Sequence, residues 1–123
     1  MKRVKTIGMI IVLLIILIVI CCALHKKHKI DDEVKTMLLD LYELEYSYKR
    51  MFGSFTKCTH ALAFIQDTLV TEGGEAHYYV EIENADDSTF SIKAISAIDF
   101  DNDGVFSEWQ INEKGELQEV LED

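Results

Sequence analysis

The sequence predicts an α+β protein: a long N-terminal helix, transmembrane and then amphipathic, packed on a small antiparallel β-sheet of three to four strands. Three observations carry this reading. Residues 7–24 form an uninterrupted apolar run, and residues 31–52 place apolar side chains at spacings of three and four. Beyond the Gly73-Gly74 pair the apolar period drops to two. A helix with one apolar stripe and a sheet with one apolar face bury each other, which is the ordinary two-layer solution.

Residues 1–6 are a basic stub carrying Lys2, Arg3 and Lys5. Residues 7–24 then read IGMIIVLLIILIVICCAL, with no charged side chain. As a helix this run extends about 27 Å, close to the thickness of bilayer hydrocarbon. It exceeds the roughly 7–15-residue core of a secretory signal, and the basic cluster after it disfavours cleavage near Cys21 and Ala23. Ile20 before Cys21 likewise disfavours a lipoprotein site. The run reads as a retained single-pass anchor in contact with membrane lipid. Lys26, Lys27 and Lys29, with His25 and His28, form a basic collar that meets lipid headgroups. Positive charge is balanced on the two sides, so it does not set the orientation.

There is no proline, and no glycine between Gly8 and Gly53, so the helix continues through residues 25–52. Val34, Met37, Leu38, Leu41, Leu44, Tyr48 and Met51 form its stripe, and Gly53 ends it. Residues 53–123 make the sheet domain. Ala61–Ile65 is one or two helical turns or a packed loop. Tyr78, Val80 and Ile82, then Phe90, Ile92 and Ala94, mark two strands joined by a polar turn at 84–88. Val105–Ile111 supplies a third strand, with Trp109 and Ile111 on one face, and Leu117–Leu121 a short fourth. Tyr42, Tyr46, Tyr48, Phe52 and Phe55 are expected between helix and sheet, and Trp109 in the core.

All 22 acidic residues, but only six of the twelve basic ones, lie in residues 31–123. Such a head repels phosphate backbones, which excludes nucleic acid as a partner. Cys58 is the only cysteine there, so no internal disulfide staples the head; pairing between chains and a reactive thiol are open to it, and it reads first as a small buried or half-buried apolar residue. Cys58-x-His60 offers a nucleophile beside a base, but nothing supplies an oxyanion site. No catalytic residue or small-molecule substrate is therefore assigned. His77 is expected to be exposed at the start of a strand.

The candidate site is Asp99-Phe-Asp101-Asn-Asp103-Gly104. Carboxylates at alternate positions before a glycine suit a hard cation such as calcium, because the glycine allows the sharp turn that converges the oxygens. The Val105 carbonyl is a further ligand. The twelfth position, a bidentate glutamate in an EF-hand, is Gln110 here, with Glu108 two residues earlier. The competing reading is a solvated turn whose aspartates accept backbone amides. Three close carboxylates repel one another without a counterion, which favours the cation. Calcium would be structural, pinning the turn that feeds the Trp109 strand, and it suits a compartment where the free ion is abundant. That puts the head on the extracytoplasmic side.

A basic stub, an apolar helix continuing into an amphipathic one, and a small antiparallel sheet together resemble type IV pilins and the pseudopilins of type II secretion. Glu45-x-x-Tyr48 followed by Gly53-x-Phe55 resembles the E-x-x-Y…G-x-Y segment of many pilin-like proteins. Residues 97–111, with Gly115 after them, resemble their D-x-D-G-D-G…W-x-I…G segment. The resemblance implies a non-enzymatic structural subunit of a type IV pilus or type II secretion assembly, in the cytoplasmic (inner) membrane, with other subunits as partners. The junction departs from the family: Met9 follows Gly8, and Leu13 stands where the family has a glutamate. In the family that glutamate is thought to pair with a neighbouring subunit's amino terminus. Its absence leaves a second expectation, a non-polymerising anchored module that binds calcium or a partner outside the cytoplasm.

Overall fold

The computed structural model describes residues 2–122 and contains one long helix followed by a four-stranded antiparallel sheet. Helix α1 spans Lys2–Phe52, and the strands are β1 (Tyr78–Ala85), β2 (Phe90–Ser96), β3 (Glu108–Asn112) and β4 (Leu117–Leu121). Two compact units divide the chain, Met1–Asp32 and Glu33–Asp123.

In the first unit, α1 is long and apolar enough to cross a membrane, with an apolar window of mean hydropathy 3.5 that nothing covers. After the apolar run, His28 Nε2 lies 3.4 Å from Asp32 Oδ2, one helical turn apart.

The second unit holds the core. Val34, Leu38, Leu41 and Glu45 are fully buried at spacings of four, three and four, the period of one helix face. Three of these are apolar and belong to the expected stripe; the fourth is a carboxylate. The sheet opposite is a plain meander in the order β1-β2-β3-β4. Its inward face presents Tyr78, Ile82, Phe90, Ile92, Ala94, Trp109 and Ile111, all buried. Alternation sends Glu83, Lys93, Glu108 and Gln110 to the outer face, where Lys93 Nζ bridges Glu83 at 2.6 Å and Glu108 at 3.1 Å.

Rings lock helix to sheet. Phe90 packs against Phe55, Tyr42 and Tyr46 with centroids at 4.7, 5.9 and 6.0 Å. The Tyr46 hydroxyl donates to the Glu113 carbonyl, and Lys35 Nζ lies 5.2 Å above the Trp109 ring. The segment after the helix is tied down as well, its Phe55 amide donating to the Asp86 carbonyl at 3.0 Å.

Several expectations need correction. The third strand begins at Glu108 rather than Val105, because the Val105 amide is taken by Asp103 Oδ1 instead of a ladder partner. Tyr48 and Phe52 pair with each other at 4.5 Å, away from the main cluster, and Phe52 is 65% exposed. Met51 is exposed too. Of the two alternatives for residues 61–65, the packed loop is the one found: residues 61–63 form a turn, 64–65 have no regular structure, and Leu62 is the buried anchor. Cys58 is exposed, not buried. His77 is half-buried against the helix, its Nδ1 lying 3.1 Å from Glu33 Oε2.

Candidate functional site

The aspartates sit on a loop clamped at its base. The β2–β3 ladder ends where the Ser96 amide donates to the Ser107 carbonyl at 2.8 Å. Ser96 Oγ donates to the Ile98 carbonyl at 2.7 Å, while the Tyr78 hydroxyl donates to Ser107 Oγ at 3.0 Å. Ser96 and Ser107 are both buried, so a polar network in the core fixes the two ends of the loop.

Within the loop each aspartate accepts a backbone amide. Gly104 donates to Asp99 Oδ2 at 2.6 Å, Asp103 to Asp101 Oδ1 at 3.2 Å, and Val105 to Asp103 Oδ1 at 2.8 Å. Asn102 and Gly104 take positive φ, 60° and 84°, which the tight reversal requires and which asparagine and glycine tolerate best. One oxygen from each of Asp99, Asp101 and Asp103 falls within 4.8 Å of the other two. Asp99 Oδ1 is buried without a hydrogen-bond partner. Burial pushes the Asp99 carboxyl up, but accepted hydrogen bonds, the Gly104 amide first, bring it below the ordinary aspartate value. Three convergent carboxylates with one orphaned oxygen fit a hard cation, and the same loop satisfies its own amides without one.

The other proposed ligands lie elsewhere. Glu108 bonds Lys93 on the outer sheet face, and Gln110 Nε2 donates to Ser91 Oγ on the same face. Both are committed to the sheet because β3 has already begun at Glu108. The Val105 backbone remains in the loop, next to the exposed Phe106. A cation here would have three aspartates and the Val105 carbonyl, with water completing its shell.

Spacing did not single out Glu45. It is fully buried, its Oε2 accepts the Thr56 amide at 3.0 Å, and its Oε1 has no hydrogen-bond partner. Burial raises its pKa, opposed by the Thr56 bond. The available signal was its place four residues after Leu41, on the buried face.

No family model matches the chain, and no curated protein or solved structure is significantly similar to it.

Proposed function

We propose that this chain is a membrane-anchored, pilin-like or pseudopilin-like structural subunit of a type IV pilus or type II secretion assembly. The observation that carries the reading is the order of parts along one helix. The apolar, uncovered run of α1 passes without interruption into the half whose buried face meets a four-stranded meander, and the aspartate loop joins β2 to β3. In this mechanism the apolar helix holds the subunit in the membrane and packs on neighbouring helices, and the acidic head faces away from the cytoplasm. Calcium on Asp99, Asp101, Asp103 and the Val105 carbonyl firms the loop that feeds β3. No side chain is assigned a catalytic role.

Leu13 favours one alternative, an anchored extracytoplasmic binding module that stays monomeric. Crosslinking separates the two. Single cysteines are placed through residues 9–20 of the full-length chain, in membranes, after Cys21, Cys22 and Cys58 are replaced by alanine. Crosslinking that repeats every three to four positions supports helix assembly; its absence at every position leaves the monomeric module. Full-length protein melted in detergent with calcium or chelator tests the ion, and Asp101→Ala should abolish any calcium-dependent rise. A ligand at a hundred times its Kd stabilises by about 2.7 kcal/mol, an easily measured shift.

A further inference from the structure

β1 is an edge strand whose free edge is already partly occupied by a side chain. The Ala97 amide donates to the His77 carbonyl at 2.8 Å, so residues 77, 79 and 81 bond towards β2. Tyr78, Val80 and Ile82 therefore turn their backbone groups outward. The Gln66 carboxamide sits on that edge: Nε2 donates to the Tyr78 carbonyl at 3.0 Å, and Oε1 accepts the Val80 amide at 3.1 Å. One residue of an added parallel strand would make the same two bonds through its own N–H and C=O. Gln66 is exposed, and so are Ile65, Asp67 and Thr68 around it, so little packing holds the carboxamide in place. The Val80 carbonyl and Ile82 amide continue the outward row as far as the irregularity between Ile82 and Asn84.

We propose that the β1 edge from Tyr78 to Ile82 is a strand-addition site for a basic, extended segment of a partner protein, with Gln66 as its displaceable placeholder. Charge selects the occupant. Glu81 and Glu83 alternate along the solvent face of β1, and Asp67, Glu72 and Glu75 lie on the segment leading into it. A second copy would offer another acidic strand, β1 itself or β4 with Glu119, and like charges directly opposite are unfavourable. Lysine or arginine in the added strand would pair first with the exposed Glu81, since Glu83 already bridges Lys93. Neither polymerisation nor the aspartate loop enters this argument, so it stands apart from the pilin-like reading.

The test uses the full-length chain in detergent micelles and a short labelled peptide in which lysine alternates with valine and threonine. Fluorescence anisotropy reads binding, and hydrogen exchange reads the Val80 and Ile82 amides. The expected result is saturable binding with new protection at Ile82, lost when alternate peptide nitrogens are methylated. Exchanging lysine for glutamate should weaken binding by about tenfold or more. Gln66→Ala should tighten it, since no placeholder has to leave. Binding that survives N-methylation would mean diffuse attraction to an acidic surface and would overturn the proposal. So would the absence of binding, or unchanged exchange at Ile82.

Discussion

Replacing Glu45 with methionine should stabilise the head at pH 8 and do progressively less as the pH falls towards 5. The carboxyl is fully buried with one oxygen bonded to the Thr56 amide and the other unpartnered. Leaving such a group unsatisfied costs about 1–3 kcal/mol. Methionine fills similar volume and removes the orphaned oxygen. It also gives up the Thr56 bond, but Thr56 is only half-buried, so its amide can turn to water. The net gain expected at pH 8 is about 1–2 kcal/mol. In a domain of this size each kcal/mol moves the melting temperature by about 4–8 °C.

The sign of the pH dependence follows from linkage. Burial raises the folded-state pKa of Glu45 above its ordinary 4.5, so the folded head holds this proton more tightly than the unfolded chain does. Its favourable contribution is full below 4.5 and is lost as the pH rises through the folded value. An acidic head gains stability from general protonation too, so the wild-type profile alone is ambiguous. The difference between wild type and variant isolates Glu45. Trp109, the only tryptophan and a core residue, reports head unfolding by fluorescence even if the apolar part of α1 stays helical in detergent. Glu45→Gln keeps an acceptor for Thr56 but cannot ionise, so its difference from wild type should carry the same pH dependence, and its difference from the methionine variant should be flat. A difference that does not shrink as the pH falls from 8 through the ordinary value of 4.5 would refute the reasoning.

Phe90→Ala removes the ring shared by Phe55, Tyr42 and Tyr46 and should cost about 3–5 kcal/mol, measured as a fall in denaturation midpoint by Trp109 fluorescence. Gly74→Ala places a methyl 2.0 Å from the Thr68 carbonyl oxygen, so residues 68–76 must shift; melting should drop and the Ala76 amide, bonded to Thr68 at 3.1 Å, should exchange faster. Asp86 accepts the Ser88 and Thr89 amides, at 2.9 and 2.7 Å, and these bonds lower its pKa. Its contribution is therefore present above the ordinary aspartate value and lost as the pH falls through the folded one. Asp86→Ala should speed exchange of those two amides at neutral pH, and the effect should shrink as acid protonates Asp86 in the wild type.

Much of this architecture was legible because period and punctuation are local. Helix, meander and fourth strand fell where apolar spacing and glycines put them, and Asp99, Asp101 and Asp103 do converge. Spacing assigns a residue to a face but does not say how far the covering layer reaches. Tyr48, Met51 and Phe52 were therefore counted into a contact that Phe90 makes instead. Ligand spacing that suits a loop does not carry into a strand: from Glu108 onward side chains alternate across the sheet, so Glu108 and Gln110 meet Lys93 and Ser91 on the outer face. Glu45 stands out in the sequence only through its E-x-x-Y resemblance, and its burial is not legible there. Its position was right for the core, but its charge argued against burial, and only the layers around it show that the carboxylate is covered.

Because the strands lie in chain order, the head also has a timetable. During synthesis Val34, Leu38 and Leu41 leave the ribosome well before the β2 and β3 residues that will cover them. For that interval the nascent helix shows water an apolar face, the kind of surface that draws chains into aggregates. Glu45 then sits in water, ionised at no penalty, and breaks that face near its end. Only when Phe90, Ile92, Trp109 and Ile111 arrive does the face dry and the carboxylate become costly. One carboxylate is thus a buried, half-satisfied group in the finished head and a solvated charge on the unfinished one.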